Sequence, residues 1–564
     1  MKTKLLPFIF LFLLTLPAFF FLLKPGIYWN MHDDMQIIRQ LEMEKCLQDG
    51  QIPCRWVPDL GYSYGYPLFN FYPPMPYLVG QTFRLLDFSF VSAVKLTAAS
   101  QIIFSALGMY LLAASLFGPI GGIISSLFYT YAPYHAVNIY VRGAMNEAWA
   151  AVFFPFILYF SKKLIETGKL KHAVLLSLSF CGLALSHNPM TLIFTPVLLV
   201  WSFFWLIVNY KKDIQKAIST TIKLAISGLL AFGLSAFFTL PVIFESKLVQ
   251  IESMFTNYYH FSVHFASLPQ LFLSRYWGDG PSVWGTEDKM SFAIGHLHWI
   301  IPLVACLYIA IKFLKTRRLG STDLVAILIS LLGLFSAFMS HERSTFIWLL
   351  FTTIQKIQFP WRFLNLTVFL FSLSAGFLSL MFGKKKLLSL LIILPLLILN
   401  LSYFTPVTSG PITDEQKLSG LAWRNQITSG IYDYLPKTAR IAALREAKPY
   451  LDEIIPADTQ YELSGQKKGT DWQFFNLSLS KPATIYLSQL YFPNFQVNNN
   501  GQPIEFQVEP ELGRISLGLD AGNHQIYVKL HDTPIRYVAN SISLSAIFLI
   551  GVLFIFPKIW KKLK

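Results

Sequence analysis

The sequence predicts a polytopic α-helical membrane protein of about twelve spans, carrying a β-rich domain towards its C-terminal end. Three observations predict it. Apolar runs of the length that crosses a bilayer, about 17–25 residues, recur along most of the chain. Only 14% of the 564 residues are charged, against about 25% in a soluble globular protein, while 54% are hydrophobic. Between residues 404 and 535 the apolar pattern changes to short runs of period two. The same composition excludes a disordered chain, whose apolar content would be too low to drive collapse.

The apolar runs fall at about residues 5–23, 90–116, 119–134, 147–161, 172–187, 190–208, 221–243, 296–313, 322–339, 362–382, 387–403 and 537–556. Lys2 and Lys4 precede the first run, as in a signal peptide. No small-x-small cleavage site follows Leu23, so it reads as a retained span. The net charge is +15. With the N-terminus in the cytosol, the inner segments sum to +17, including Lys162, Lys163, Lys384, Lys385, Lys386 and the tail Lys561, Lys562 and Lys564. The outer loops and the stretch 404–535 together carry −5, and Lys95, Lys223 and Arg536, in or beside spans, add the remaining +3. Such asymmetry orients membrane proteins and accounts for the basic balance without nucleic acid as a partner. Both termini then read as cytoplasmic, at a plasma membrane.

The expected organisation is a transmembrane domain over 1–403 with long outer loops 24–88 and 245–295, an extracytoplasmic β-rich domain over 404–535, and a final span at 537–556. In the β-rich part, Ile485 and Leu487 alternate with polar neighbours, as do Ile526 and Val528. Asn500-Gly501 suits a type I′ hairpin turn between Phe495-Gln496-Val497 and Ile504-Glu505-Phe506, and Gly522-Asn523 reads as a second turn. A sandwich of about 100 residues is expected, with a partly helical lead-in around Ala439–Glu446. Cys181 and Cys306 lie in spans and read as core residues. Cys46 and Cys54 share the first outer loop, either joined in an oxidising compartment or as two free thiols.

Candidate chemistry collects on the outer side. His32-Asp33-Asp34 follows the first span closely. Adjacent carboxylates point in different directions, so at most one faces a shared cavity while the other is placed to cap a helix starting near Met35. The alternative is an acidic helical turn favoured by the macrodipole. The stretch from Gly61 to Pro74 supplies Tyr62, Tyr64, Tyr66, Phe69, Phe71 and Tyr72, whose rings suit either sugar faces or the membrane interface. Arg142-Gly143-Ala144-Met145-Asn146-Glu147 sits between two spans, where Arg142 offers bidentate donors to a phosphate or pairs with Glu147. Lys95, His187-Asn188, His341-Glu342-Arg343 and Phe359-Pro360-Trp361-Arg362 are further polar groups near the membrane, where ionisable residues are costly. Lys95 can also snorkel. His260 and His264 have the spacing of metal ligands on a helix, without a zinc-protease motif around them.

This arrangement resembles the GT-C superfamily of membrane glycosyltransferases, and within it the bacterial membrane proteins named for a 6-pyruvoyl-tetrahydropterin synthase-related domain. The residues that carry the resemblance are His32-Asp33-Asp34, the Tyr66–Pro74 stretch, Arg142-Gly143-Ala144 with Glu147, and Phe359-Pro360-Trp361-Arg362-Phe363-Leu364. Tyr432-Asp433-Tyr434-Leu435-Pro436 and Tyr491-Phe492-Pro493-Asn494-Phe495 are similar to the outer domain of related enzymes. The resemblance implies sugar transfer from a polyprenyl-phosphate donor in the bilayer to an acceptor hydroxyl at the outer face, with sugar and acceptor unspecified. It implies Asp33 or Asp34 as base and Glu147 as a second carboxylate. Arg142 and Arg362 are the implied phosphate clamps, Lys95 and Arg343 are further cations, and His32, Tyr66 and Tyr72 contact substrate. The resemblance makes no cofactor certain and a divalent metal possible, although the loop acids are adjacent and depart from the spaced Asp-x-Asp of some relatives. A transporter or flippase of lipid-linked glycans would also use outer cations, although no paired inverted halves are visible. A non-catalytic envelope scaffold is the third reading.

Overall fold

The structure is a computed structural model that describes residues 2–283, 285, 288–429 and 432–563. Lys564 of the basic tail lies outside the described residues. Among the described residues, nine helices are long and apolar enough to cross a membrane, with two shorter apolar helices, Pro7–Leu23 and Leu170–Ala184. The chain is a polytopic α-helical membrane protein with a β-sheet domain near its C-terminal end. The expected second and third spans lie in one helical stretch, Phe90–Thr130, broken at Gly118, where φ is 81° ahead of Pro119. Proline removes a helical donor and the positive φ suits glycine, so this pair reverses the chain. The two arms return on each other: Ser126 Oγ donates to the Ala106 carbonyl, and a Cβ at Gly122 would stand 2.9 Å from that of Ala114.

The chain divides into two compact units, the first comprising residues 1–34, 83–232 and 255–412, and the second 35–82, 233–254 and 413–564. In the first, the helix Met145–Thr167 packs on Phe90–Thr130, Leu170–Ala184 and Asn188–Tyr210. The helix Leu364–Ala375 packs on Phe90–Thr130, His296–Thr316 and Ser321–Met339, and all its residues are buried. It is mostly apolar, as a helix surrounded by helices tends to be, with Asn365, Thr367, Ser372 and Ser374 as its polar residues. Small residues let its backbone close in. Ser125 Oγ donates to Leu373 O at 3.0 Å, and Ser330 and Ser374 share a hydroxyl bond at 2.7 Å. Cys181 and Cys306 are only half buried, because their helices leave part of their surface to lipid. The short strand Ile27–Trp29 pairs antiparallel with Thr408–Pro411, and Lys95 donates to the Lys24 and Ile27 carbonyls below it.

In the second unit, two antiparallel sheets form a sandwich. One has the order Leu451–Ile455, Ala483–Leu490, Arg514–Leu519, Gln507–Val508. The other runs Tyr461–Lys468, Trp472–Leu479, Gly522–Leu530, Phe495–Asn499, Gln502–Pro503. The alternating Ile485, Leu487, Ile526 and Val528 are fully buried between them. Asn500 and Gly501, both at positive φ, make the expected turn, but the return strand is Gln502–Pro503, and 504–506 is irregular instead of the expected strand. Gly522-Asn523 is not a turn: Asn523 pairs with Ser478 inside a strand. The lead-in at 439–446 is not helical either, because Arg440 and Ile441 both donate their N–H groups to Glu511 O (2.8 and 3.3 Å) and the chain lies as an irregular strap. Loop residues 35–82 join this unit, and Cys46 and Cys54 form a disulfide there. Ser543 of the last helix donates to Gly233 O at 2.9 Å and accepts from Phe237 N, tying two apolar helices.

The hairpin at Gly118 generates a stability prediction. A Cβ at Gly121 would stand 2.8 Å from the Gly376 carbonyl oxygen, whereas at Gly228 it meets nothing within 4 Å. Gly121→Ala is therefore expected to lower the melting temperature in detergent. Gly228→Ala should hold it or stabilise by up to about 1 kcal/mol, the helix-propensity gain. Equal melting of the two variants would show that the hairpin does not pack against 376.

Candidate functional site

The site grows from three local breaks in helical structure, all within the first unit. Pro133 opens a short helix, Pro133–Ala136, which widens into a π-turn over Val137–Val141. Such turns are uncommon and cluster at functional positions. It ends at Arg142, and Gly143, at φ 61°, redirects the chain into the helix Met145–Thr167. Glu147 thus falls in the first turn of that helix, where the macrodipole favours a carboxylate. The third break is the 3-10 turn Pro360–Phe363, which carries Arg362 and runs into Leu364–Ala375.

These breaks bring two guanidiniums onto one carboxylate. Arg142 NH1 stands 2.9 Å from Glu147 Oε1 and its NH2 donates to Oε2 at 2.9 Å, a bidentate pair. Arg362 Nε donates to Oε2 at 3.2 Å, Asn365 Nδ2 to Oε1 at 2.6 Å, and the Tyr134 hydroxyl to Oε1 at 3.4 Å. Asn138 completes the frame, donating to Asn365 Oδ1 (2.8 Å) and accepting from Arg142 NH1 (2.6 Å). Arg362 also donates to Ile357 O and Gln358 Oε1, at 2.6 and 2.8 Å. Aromatic faces cover the cations: Arg142 lies 4.4 Å from the Trp361 ring centre and Arg362 4.8 Å from that of Phe359, and those rings stack on each other. Burial opposes the charge on Arg142, but Glu147, with Tyr134 and Asp33 adding to it, outweighs burial and raises its pKa above the usual value. Two cations against one buried anion leave the cluster one positive charge in excess.

The acid motif is fastened to this cluster through its backbone. His32 N–H donates to Val141 O at 2.9 Å and Asp33 N–H to Arg142 O at 3.0 Å. Trp29 Nε1 donates to Ile139 O at 3.0 Å, and His32 Nε2 donates to Asp279 O at 2.6 Å. Gly143 is needed here, since a Cβ would run into the Met31 thioether and stand 2.8 Å from Met31 Cγ. Asp34 acts on Tyr28: burial first, then the Asp34 charge, keep that phenol protonated well above its usual range.

His32, Asp33, Arg142, Glu147 and Arg362 are therefore brought together, and four other expected residues are placed differently. Glu147, the expected second carboxylate, is 1% exposed, and its two oxygens are engaged by Arg142, Arg362 and Asn365. Lys95 spends its donors on backbone carbonyls at 24 and 27. Arg343 is exposed on a 3-10 turn, and no bond or ion pair among the described residues links it to the cluster. Tyr66, in the second unit, is 2% exposed and offers no ring face, while Tyr72 there accepts from Arg39 NH1 at 3.0 Å and packs on Tyr77 and Tyr434. Met35, not an aspartate, is the N-cap of the helix Gln36–Gln48.

His187 caps its helix by accepting from Met190 N–H at 3.2 Å. His260 and His264 do not share a helix face, because 257–263 forms 3-10 turns. His264 bonds Ser282 Oγ and Tyr258 O, and burial lowers its pKa to about 4. Among the described residues, no group of three or more His, Cys, Asp or Glu is placed to hold a metal ion. The residues that sequence reasoning missed are Tyr134, Asn138, Gln358 and Asn365. A polar amide in an otherwise apolar run was the available signal for Asn365.

Fold and site define a polytopic membrane protein with a buried arginine–carboxylate cluster beside an acidic loop. No family model matches the chain. An uncharacterized protein of Lactococcus lactis subsp. cremoris is 24% identical over 216 residues, covering 37% of this chain and 34% of that protein. Among solved structures, the oligosaccharyltransferase of Archaeoglobus fulgidus superposes with a TM-score of 0.44 at 12% identity, over 79% of this chain and 62% of that one. Arabinofuranosyltransferase AftD from Mycobacteria gives 0.40 at 15% identity, over 78% of this chain and 28% of that one. The chain thus covers less than two thirds of the length of each of these proteins.

The cluster predicts its own cost of disruption. Glu147→Gln leaves two buried guanidiniums without their anion and is expected to destabilise by about 3–5 kcal/mol, as for other buried ion pairs that lose one partner. Replacing Glu166, an exposed acid paired with Lys162 and Lys163, should cost well under that. Unfolding in detergent checks both; equal losses would contradict the burial and pairing of Glu147.

Proposed function

We propose that the chain is a membrane glycosyltransferase that moves a sugar from a polyprenyl-phosphate donor to an acceptor hydroxyl at the outer face of the plasma membrane. In this reading both termini are cytoplasmic. The observation that carries it is the bond from the Asp33 peptide to Arg142, which holds an acid loop beside two guanidiniums with one positive charge in excess. Chemistry of this kind needs those two elements. A phosphate leaves without a proton if cations take up its charge, and one carboxylate then suffices to receive the proton of the incoming hydroxyl. The motif resemblance to GT-C enzymes points the same way, and a disulfide at Cys46–Cys54 suits an oxidising, extracytoplasmic loop.

In the proposed reaction Asp33 accepts the acceptor's hydroxyl proton while that oxygen bonds to the anomeric carbon from the face opposite the phosphate. The anomeric carbon–oxygen bond breaks, and its electron pair leaves on the polyprenyl phosphate. Arg142 and Arg362 stabilise that charge, and the anomeric configuration inverts, as in inverting glycosidases. Glu147 is a positioning residue that holds the two guanidiniums together. Asp34 faces Tyr28 in this scheme and acts on the loop's shape.

With purified protein and a lipid-linked sugar donor, Asp33→Asn is expected to lower turnover by about 10²–10⁴-fold while the protein stays folded, the usual contribution of a general base. Asp34→Asn should be milder, and Arg142→Lys should fall between the two because it keeps charge but loses the fork. Full activity of Asp33→Asn would remove Asp33 as base. Undiminished activity of the Asp33 and Asp34 variants alike would remove the reaction scheme.

A further inference from the structure

His187 turns the chain between the helices Leu170–Ala184 and Asn188–Tyr210, just ahead of the span that the second of these makes. Its backbone is extended, and Pro189 suits the first helical turn after it, where a missing N–H costs nothing. The corner is tied to the helix that carries Glu147. Asn146 Nδ2 donates to the Ser186 carbonyl at 3.0 Å, so the neighbours of Glu147 and His187 in the chain are bonded to each other. The His187 carbonyl accepts from Thr191 N and Oγ1, both at 3.1 Å, which fixes the peptide. The ring is half-buried and stands within the field of the arginine cluster, where Arg362, Glu147 and Arg142 all act on it.

One hydrogen bond decides where the ring carries its proton. Met190 donates its backbone N–H to Nδ1 at 3.2 Å. A backbone N–H only donates, so Nδ1 offers its lone pair and the proton of the neutral ring sits on Nε2. A second proton would set one N–H against another at the cap and put a third cation beside two guanidiniums. Burial, then the Arg362 charge, oppose it further, and the ring stays neutral. Among the described residues no hydrogen bond engages Nε2, and protein does not seal that atom off. The corner therefore presents one oriented, uncharged N–H donor beside Arg142 and Arg362.

We propose that His187 is a further catalytic residue, whose neutral Nε2–H donates a hydrogen bond to an oxygen of the donor's phosphate alongside Arg142 and Arg362. The role rests on the glycosyl-transfer reading, while the phosphate contact stands apart from turnover. A donor beside two cations meets the acceptor that those cations also attract, an anionic oxygen. No proton moves, because a neutral imidazole is too weak an acid to release Nε2–H. The bond strengthens as the anomeric carbon–oxygen bond breaks and its electron pair moves onto the phosphate.

Variants that separate the cap from the contact test this. Asn and Ser keep an oxygen that accepts from Met190 N–H but lack the far nitrogen of the ring, whereas Gln reaches that place with an amide N–H. The probe is farnesyl phosphate, titrated calorimetrically into full-length protein in detergent micelles, with farnesol as the control for its tail. His187→Asn and His187→Ser are expected to melt like the wild type and to bind farnesyl phosphate about tenfold more weakly, roughly the loss of one hydrogen bond to a charged group, with farnesol unaffected. His187→Gln should regain part of that affinity although it loses the cap. Unchanged affinity in the Asn and Ser variants leaves His187 a helix cap and overturns the proposal, as does a parallel loss of farnesol binding. In wild-type protein with ring-15N histidine, a neutral Nε2–H resonance absent from His187→Asn should shift when farnesyl phosphate is added; no histidine shift overturns the contact even if the variants fail to fold. Weakened phosphate binding with undiminished transfer overturns the catalytic role alone. Weakened phosphate binding in a protein that transfers no lipid-linked sugar overturns the transfer reading and leaves a phosphate site.

Discussion

The ion pair at Glu147 is the interaction on which the rest of the site depends. A carboxylate with 1% exposure is expensive to strip of water, and it is tolerated because two guanidiniums, an amide and a phenol replace that water. Those partners come from the π-turn before Arg142, the 3-10 turn at Arg362 and the central helix after it. One anion thus ties together two irregular turns and the helix Leu364–Ala375. Because the partners carry one charge more than the anion cancels, the assembled cluster attracts negative charge in a setting where solvent screens little.

The acid loop is placed by a different kind of bond. His32 and Asp33 are held through their peptide N–H groups, and Gly143 leaves room for Met31. Backbone bonds of this kind hold the loop through its peptide groups, whatever side chains it carries. The ring of His32 extends the fastening to Asp279 and, through the β-bridge of Asp279, to Met290. Cations and acid loop are consequently neighbours along a single chain of contacts within the first unit.

The aromatic stretch 61–74 shows how the same residues serve packing. Tyr64, Tyr66, Phe69 and Phe71 are buried in the core of the second unit, and the Tyr64 hydroxyl donates to Asp452, which Arg445 and Arg514 also hold. Aromatic side chains carry much of the burial energy of a core, and Tyr is admitted when its hydroxyl finds a partner. Nothing in the local sequence separates that use from a sugar platform, because both want rings in an irregular, Gly- and Pro-rich loop.

What the sequence determined by itself is what depends on local pattern. Long apolar runs have no choice but to form helices in lipid, since only helices satisfy their own backbone there. Period-two runs in Ile485, Leu487, Ile526 and Val528 make strands, and Asn500-Gly501 makes a turn because both residues accept positive φ. The motifs at 32–34, 142–147 and 359–362 were legible for the same reason, as ionisable groups at membrane edges. Tertiary structure decided which of them meet. Glu147 reads in sequence like a second catalytic carboxylate and becomes an anchor only when Arg362 and Asn365, more than two hundred residues away, arrive beside it. Gly522-Asn523 reads as a turn and is a strand because Ser478 pairs with it. Lys95 reads as a cation for phosphate until two distant carbonyls take its donors. In each case the partner that fixes the residue's role is remote in sequence, and a charge or a donor carries no mark of what will stand opposite it.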